Sequence, residues 1–165
     1  MPVTSSAIPD EHLDAWRAVL TAHAVVVAHA EAALAAGGLP PLGWYDVLWA
    51  LRRAPGRRLR MAELAERLTI SRGGLTKLAD RLEGAGLIRR EAAGDDGRGL
   101  YAVLTPDGNA FLRRMWPAYA RALRETFASA ITAEEAAVIA AALGRVTPPR
   151  VDGAARPRRR GRSST

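Results

Sequence analysis

The chain has 165 residues, 48% of them hydrophobic, no cysteine and a net charge of +7. That length supports one well-formed core with extensions. The missing thiols exclude disulfides, thiolate nucleophiles and cysteine redox sensing.

Residues 1–9, with two prolines, read as a flexible leader. They lack the basic-then-apolar order of a secretory signal, and no run of about eighteen consecutive apolar residues follows, so a cytoplasmic protein without a membrane partner is expected. Asp10 to about Ala36 is predicted as one long helix. Its apolar positions Leu13, Trp16, Leu20, Val27, Ala30 and Leu34 form a heptad-like seam, with His23 at the missing step. Such a helix, without a helical neighbour beside it in sequence, points to packing against a second subunit. The stretch GGLPP ends it.

Leu42 to about Ala54 reads as a second helix, with Tyr45, Leu48, Trp49 and Arg52 at helical spacing, stopped by Pro55-Gly56. A very short strand at Leu59–Met61 and a third helix, Met61–Leu68, follow; the packing face of that helix is Ala62, Leu64, Ala65 and Leu68. Thr69-Ile70-Ser71 turns the chain into a fourth helix, with Ser71 as N-cap and Gly86 as left-handed C-cap. Its apolar stripe is Leu75, Leu78, Ala79, Leu82 and Ala85. The other face, Arg72, Gly73, Thr76, Lys77 and Arg81, is small and basic. Helix, tight turn and capped basic helix make a helix-turn-helix whose second helix fits a DNA major groove. Gly73-Gly74 costs about 1 kcal/mol each against alanine. The pair serves either close backbone approach to DNA or relaxed sequence specificity.

Leu87–Ala92 and Leu100–Leu104 read as strands around AAGDDGRG, a hairpin wing. Thr105-Pro106-Asp107 opens a helix running to about Ala130, with Phe111, Leu112, Met115, Tyr119, Leu123 and Phe127 inward and a bend at Pro117. Thr132–Glu135 is a capping box for a last helix that buries Val138, Ile139, Ala142, Leu143 and Val146. Residues 148–165 form a basic tail, disordered by composition. Its PRRRGR lacks the proline that would complete an AT-hook, and reads as a source of non-specific DNA affinity.

Charge follows this division. Residues 52–98 carry twelve Lys/Arg against seven Asp/Glu, and residues 150–165 six Arg against one Asp. A polyanion partner is implied. Arg57, Arg58, Arg60, Arg89 and Arg90 read as phosphate contacts or a solvated rim. Arg81 pairs with Asp80 or Glu83, braces the fold, or contacts DNA. His12, His23 and His29 lie on one helix without an i, i+4 pair, so no metal site is expected. No catalytic motif is present: there is no phosphate-cradling glycine loop, metal helix or nucleophile elbow, and no cofactor is called for.

The wing resembles the D-x-R-x5-L-T signature of the MarR family of winged helix-turn-helix transcriptional regulators: Asp96-Gly97-Arg98, five residues, then Leu104-Thr105. Thr105-Pro106-Asp107-Gly108 resembles the family's entry into its dimerisation helix, and Arg81-Leu82-Glu83 with Gly86-Leu87-Ile88 and Arg90 resembles the end of its recognition helix. The resemblance covers residues 10–147. It implies a mainly α fold of about six helices with a small β-wing: a helical dimerisation region (10–41 and 106–147) around a winged DNA-binding lobe (42–105). It further implies a homodimer on double-stranded DNA at a pseudo-palindromic operator, with half-sites about 10 bp apart, most often as a repressor. DNA contacts would fall to Ser71, Arg72, Gly73, Gly74, Thr76, Lys77 and Arg81. Arg98 would enter the minor groove, its guanidinium held by Asp96. Trp16, His23, Trp44, Tyr45 and Trp49, with Trp116 nearby, fall where family members bind small aromatic anions, so an aromatic or phenolic effector is a further expectation beside plain core packing. The competing reading is a low-specificity architectural or accessory DNA-binding protein.

Overall fold

A computed structural model of the chain describes residues 8–92 and 99–146. Among the described residues the elements are α1 (Asp10–Ala36), α2 (Leu42–Arg53), β1 (Arg58–Arg60), α3 (Met61–Leu68), α4 (Arg72–Gly84), β2 (Ile88–Ala92), β3 (Leu100–Leu104), α5 (Pro106–Leu123) and α6 (Ala133–Val146). A mainly helical chain with a small antiparallel sheet is what the periodicities implied.

Local chemistry sets the helix ends. The Ser71 hydroxyl accepts the Gly74 N–H at 3.0 Å, and Thr105 Oγ1 accepts the Gly108 N–H at 2.9 Å. At α6 the box is reciprocal: Glu135 Oε2 accepts the Thr132 N–H at 2.8 Å and Thr132 Oγ1 accepts the Glu135 N–H at 3.2 Å. Gly86, at φ 73°, closes α4, and the Leu87 N–H returns to the Leu82 carbonyl at 2.9 Å. Between α3 and α4 it is Thr69 that takes the left-handed conformation, at φ 55°. That cost for a β-branched residue is carried by the tight turn between the two helices.

The strand order is β1-β3-β2, with both neighbours antiparallel to β3. Leu59, Ala102, Leu104 and Ile88 point into the core. Arg58 and Tyr101 take the alternate face, where the Arg58 and Arg60 guanidiniums lie 4.5 and 5.3 Å from the Tyr101 ring centre. Leu34, Leu48, Leu51, Leu64, Leu75, Leu82, Leu112 and Met115 are fully enclosed. One core therefore joins α1, α2, α3, α4 and α5.

The structure departs from several expectations. On α1 only Ala30 and Leu34 are buried; Trp16 is 57% exposed, and Leu20 and His23 lie open. No residue of α6 is buried: Val138 and Val146 are 68% and 76% exposed. The stripes are apolar as read, but among the described residues they are left largely open. Ala62, Ala85, Trp49 and Arg52 are exposed as well. Each stands at the edge of its stripe, where helical spacing alone does not decide burial. The last long helix runs unbroken through Pro117 and gives way at a π-helical turn, Arg124–Ala128, in which Phe127 is exposed rather than inward. The axis then changes direction by 97° into α6. Finally, α1 is long and apolar enough to cross a membrane by length and composition, with mean hydropathy 1.6 over eighteen residues. Its valines and alanines raise the average without forming an unbroken apolar run.

The entry to α5 is the tightest contact. A Cβ on Gly108 would collide with the Leu87 carbonyl oxygen and stand 2.9 Å from Leu104 Cδ1. In an open helix Gly→Ala gains about 1 kcal/mol. Here the clash is with backbone, and overpacking costs up to about 3 kcal/mol. Gly108→Ala should therefore lower Tm by about 6–12 °C, measured by thermal denaturation; an unchanged or higher Tm would contradict the contact.

Candidate nucleic-acid interface

The α4 helix buries Leu75, Ala79 and Leu82 and leaves Arg72, Gly73, Gly74, Thr76, Lys77 and Arg81 open to solvent, together with its cap Ser71. Burial of one stripe therefore fixes which face is presented. The Thr76 hydroxyl donates to the Arg72 carbonyl at 2.9 Å. Its proton is engaged within the helix, which leaves a methyl group and oxygen lone pairs facing out. The two glycines differ. Nothing lies within 4 Å of a Cβ placed on Gly73, whereas one on Gly74 would come 3.1 Å from Ser71 Oγ. Gly74 gives room for the cap; the fold makes no demand for glycine at position 73.

Of the alternatives for Arg81, pairing with Asp80 or Glu83 is not the one the structure adopts. Arg90 takes both acids instead: its guanidinium meets Asp80 Oδ1 at 2.7 Å and Glu83 Oε2 at 2.5 Å, while its backbone N–H donates to Glu83 Oε1 at 2.7 Å. Arg90 thus ties β2 to α4, its guanidinium engaged by both carboxylates. Arg81 makes no ion pair among the described residues. The Arg90 hydrogen bonds hold the Glu83 carboxyl below the usual carboxylate range. Arg89 is also engaged, with Glu91 at 2.7 Å.

Two further features flank α4. A cleft of about 320 Å³ opens between the starts of α3, α4 and β3, with Arg60 and Arg72 among its lining. Asp96 and Arg98, between β2 and β3, lie outside the described residues.

The five residues expected around an effector are not one group. Tyr45 is buried and lies 6.1 Å from Trp49, 6.3 Å from Trp116 and 4.9 Å from Tyr119, ring centre to ring centre. Trp44 instead meets Phe111 at 6.2 Å. Trp16 makes no ring contact among the described residues, and His23 is exposed. Tyr119 and Trp116 complete the cluster from α5; their i, i+3 spacing was the available signal. Burial pushes the Tyr45 and Tyr119 hydroxyls up from the usual phenol range.

A short helix, a left-handed turn, a capped helix with an open basic face and a three-stranded sheet beside it define a winged helix-turn-helix protein of the DNA-binding class. Residues 37–99 match the MarR family model. The structure superimposes on Sco3205 of Streptomyces coelicolor, a MarR family transcriptional regulator solved in complex with DNA, with a TM-score of 0.75 and 30% identity over 92% of this chain and 97% of that one. AbsC from the same organism, also a MarR family transcriptional regulator, gives a TM-score of 0.72 and 30% identity over 86% and 95%. The transcriptional repressor MprA of Escherichia coli is 32% identical over 91 residues, 55% of this chain and 52% of that protein. The chain spans about half the length of the curated relatives it matches. This chain belongs to the MarR family.

The Arg90–Glu83 tie carries a pH signature. Because Glu83 has a lower pKa folded than unfolded, its contribution is complete above the unfolded carboxylate range and is lost as pH falls through the folded value. Glu83→Gln should therefore be less stable than wild type at neutral pH, and the gap should close on acidification. Urea denaturation across pH measures it; a gap independent of pH would exclude the tie.

Proposed function

We propose that this regulator is a repressor that acts as a homodimer on a pseudo-palindromic operator and answers to a small aromatic anion. The carrying observation is α4: its apolar stripe is buried in the core while its small basic face is open. In this reading residues 42–105 form the lobe that meets DNA, with Arg72, Thr76, Lys77 and Arg81 toward the major groove and Arg98, braced by Asp96, in the minor groove. Residues 10–41 and 106–147 supply the dimer contact. The uncovered apolar faces of α1 and α6 support this, since a soluble monomer rarely exposes such stripes together. The same faces, rather than a lipid bilayer, account for the hydropathy of α1 and suit a cytoplasmic protein. The repressor reading follows the description of MprA, a relative in part of its length.

The effector reading rests on the Tyr45, Trp49, Trp116 and Tyr119 cluster between α2 and α5. Trp49 and Trp116 are partly open, and the Arg52 guanidinium stands 5.9 Å from the Trp49 ring centre. Flat rings with a cation at the rim suit an aromatic carboxylate or phenolate. Such a ligand regulates only if it binds the DNA-competent and incompetent arrangements with different affinity.

A titration against the DNA immediately upstream of this protein's own coding region tests the reading. Wild type should bind as two chains per duplex and prefer a compact palindrome over random DNA by about 10³ or more. Arg98→Ala should lose about 1–3 kcal/mol of that binding. Equal, purely salt-dependent binding of every duplex would favour the architectural reading instead.

Gly73, which meets no steric demand among the described residues, favours that second reading, as does the basic tail. Gly73→Ala should stabilise the fold by up to about 1 kcal/mol. If the helix backbone approaches DNA closely there, the same substitution weakens specific binding; unaltered affinity would show that position 73 is merely unread.

A further inference from the structure

Lysine occurs once in this sequence. Of the 24 Lys/Arg residues one is lysine, Lys77, and the rest are arginine. The difference is chemical. A guanidinium stays protonated and unreactive in water near neutral pH, whereas the neutral form of an amine is a nucleophile that can be acylated. Apart from an α-amino group, Lys77 Nζ is therefore the place in this sequence where acylation stably removes a positive charge. Its setting leaves it open. Lys77 is exposed on α4. Helical side chains lean toward the N-terminus, over the residues three and four positions back. For Lys77 these are Gly74 and Gly73, and nothing lies within 4 Å of a Cβ placed on Gly73. No side chain one turn back on its own helix shields the amine. The carboxylate one turn ahead, Asp80, is taken by Arg90 at 2.7 Å. Lys77 makes no ion pair among the described residues, and neither does Arg81, its i+4 neighbour on the same face.

We propose that Lys77 is an acylation site, and that its modification by an anionic activated acyl donor, an acyl phosphate or an acyl-CoA thioester, weakens DNA binding. The inference rests on the proposed docking of α4. Unpaired cations along this face raise the local concentration of an anionic donor. The ammonium first gives a proton to water, and the neutral amine attacks the donor carbonyl. A C–N bond forms. The C–O bond to phosphate or the C–S bond to the thiol breaks, and phosphate or thiolate leaves with the electron pair. Nothing is oxidised or reduced. The product is a neutral amide with one N–H donor in place of the three of the ammonium. It also places an acyl group on a face that is bare backbone at Gly73 and Gly74, where DNA would otherwise approach closely. An arginine at position 77 would carry the same charge but could not be switched in this way.

The test uses the full chain, treated separately with acetyl phosphate and with acetyl-CoA. Trypsin cleaves after lysine and arginine, so modification appears as an uncut peptide, Gly73–Arg81, heavier by one acetyl group. Treated and untreated protein are then titrated against the upstream duplex by fluorescence anisotropy over a salt series. Acetylation of Lys77 should weaken binding about tenfold and lower the log–log salt slope by about 0.9. Lys77→Arg, compared only with itself, should bind equally before and after treatment, which separates Lys77 from an acylated α-amino group. Labelling by one donor alone supports the inference and identifies that donor. If neither donor labels Lys77 in the folded protein, the inference falls. It falls equally if the labelled protein binds within twofold of the untreated, or if Lys77→Arg loses affinity on treatment as wild type does; the DNA reading then stands, because untreated protein has bound. If untreated wild type binds no duplex, the docking of α4 fails and the switch with it.

Discussion

The carbonyl oxygen of Leu87 is the point on which the two halves of the molecule meet. It accepts the Thr105 N–H at 3.2 Å and lies 2.9 Å from Thr105 Oγ1, and α5 starts so close to it that only a glycine fits at position 108. Thr105 Oγ1 also accepts the Gly108 N–H and reaches the Gly86 carbonyl at 2.8 Å. A single threonine therefore caps α5, satisfies the chain leaving α4 and closes the base of the sheet. Each of these groups would be costly to leave unpaired once enclosed. The end of α4 and the start of α5 are consequently joined through one shared set of hydrogen bonds.

That joint bears on how a signal could travel. The aromatic cluster is built from α2 and α5, and α5 is the element welded to the end of α4. A displacement of α5 driven by occupancy of the cluster has no soft linker in which to dissipate before it reaches Leu87. A packed joint moves as a body, so the natural response is a change in where α4 sits rather than a change inside α4. The Arg90 clamp supports the same conclusion: β2 is tied to α4 through Asp80 and Glu83, so sheet and helix move together.

The sequence made legible whatever depends on near neighbours. Ser71, Thr105 and Thr132 are caps because a hydroxyl bonds a backbone N–H three residues on, and Gly86 closes α4 because a left-handed residue is required there. The sheet followed from short β-type runs around a glycine-rich tip. What stayed hidden depends on tertiary register. Arg90 reaches Asp80 and Glu83 only because the Gly86 turn folds β2 back along α4, so spacing along one helix offered Arg81 as the partner instead. The α6 stripe is apolar as its spacing implies, yet burial is a property of what lies opposite, and among the described residues that face stays open. Thr69 in a left-handed conformation was equally invisible: the residue type argues against it, and the tight turn between α3 and α4 overrides that preference.

These distinctions change how the charge of the molecule should be read. Twelve basic residues between positions 52 and 98 look like a uniform DNA-binding surface in the sequence. In the structure Arg58, Arg67, Arg89 and Arg90 have carboxylate neighbours, and Arg90 is held between helix and sheet. A cation already paired must break that pair to release a counterion from DNA, so its contribution to polyanion binding is discounted. Arg52, Arg53, Arg57, Arg72, Lys77 and Arg81 have no such ion pair among the described residues. Of these, Arg72, Lys77 and Arg81 project from the one helix whose opposite face is locked in the core. Unpaired cations on the open face of α4 therefore coincide with the helix whose orientation the core fixes, which is the arrangement the proposed reading of DNA requires.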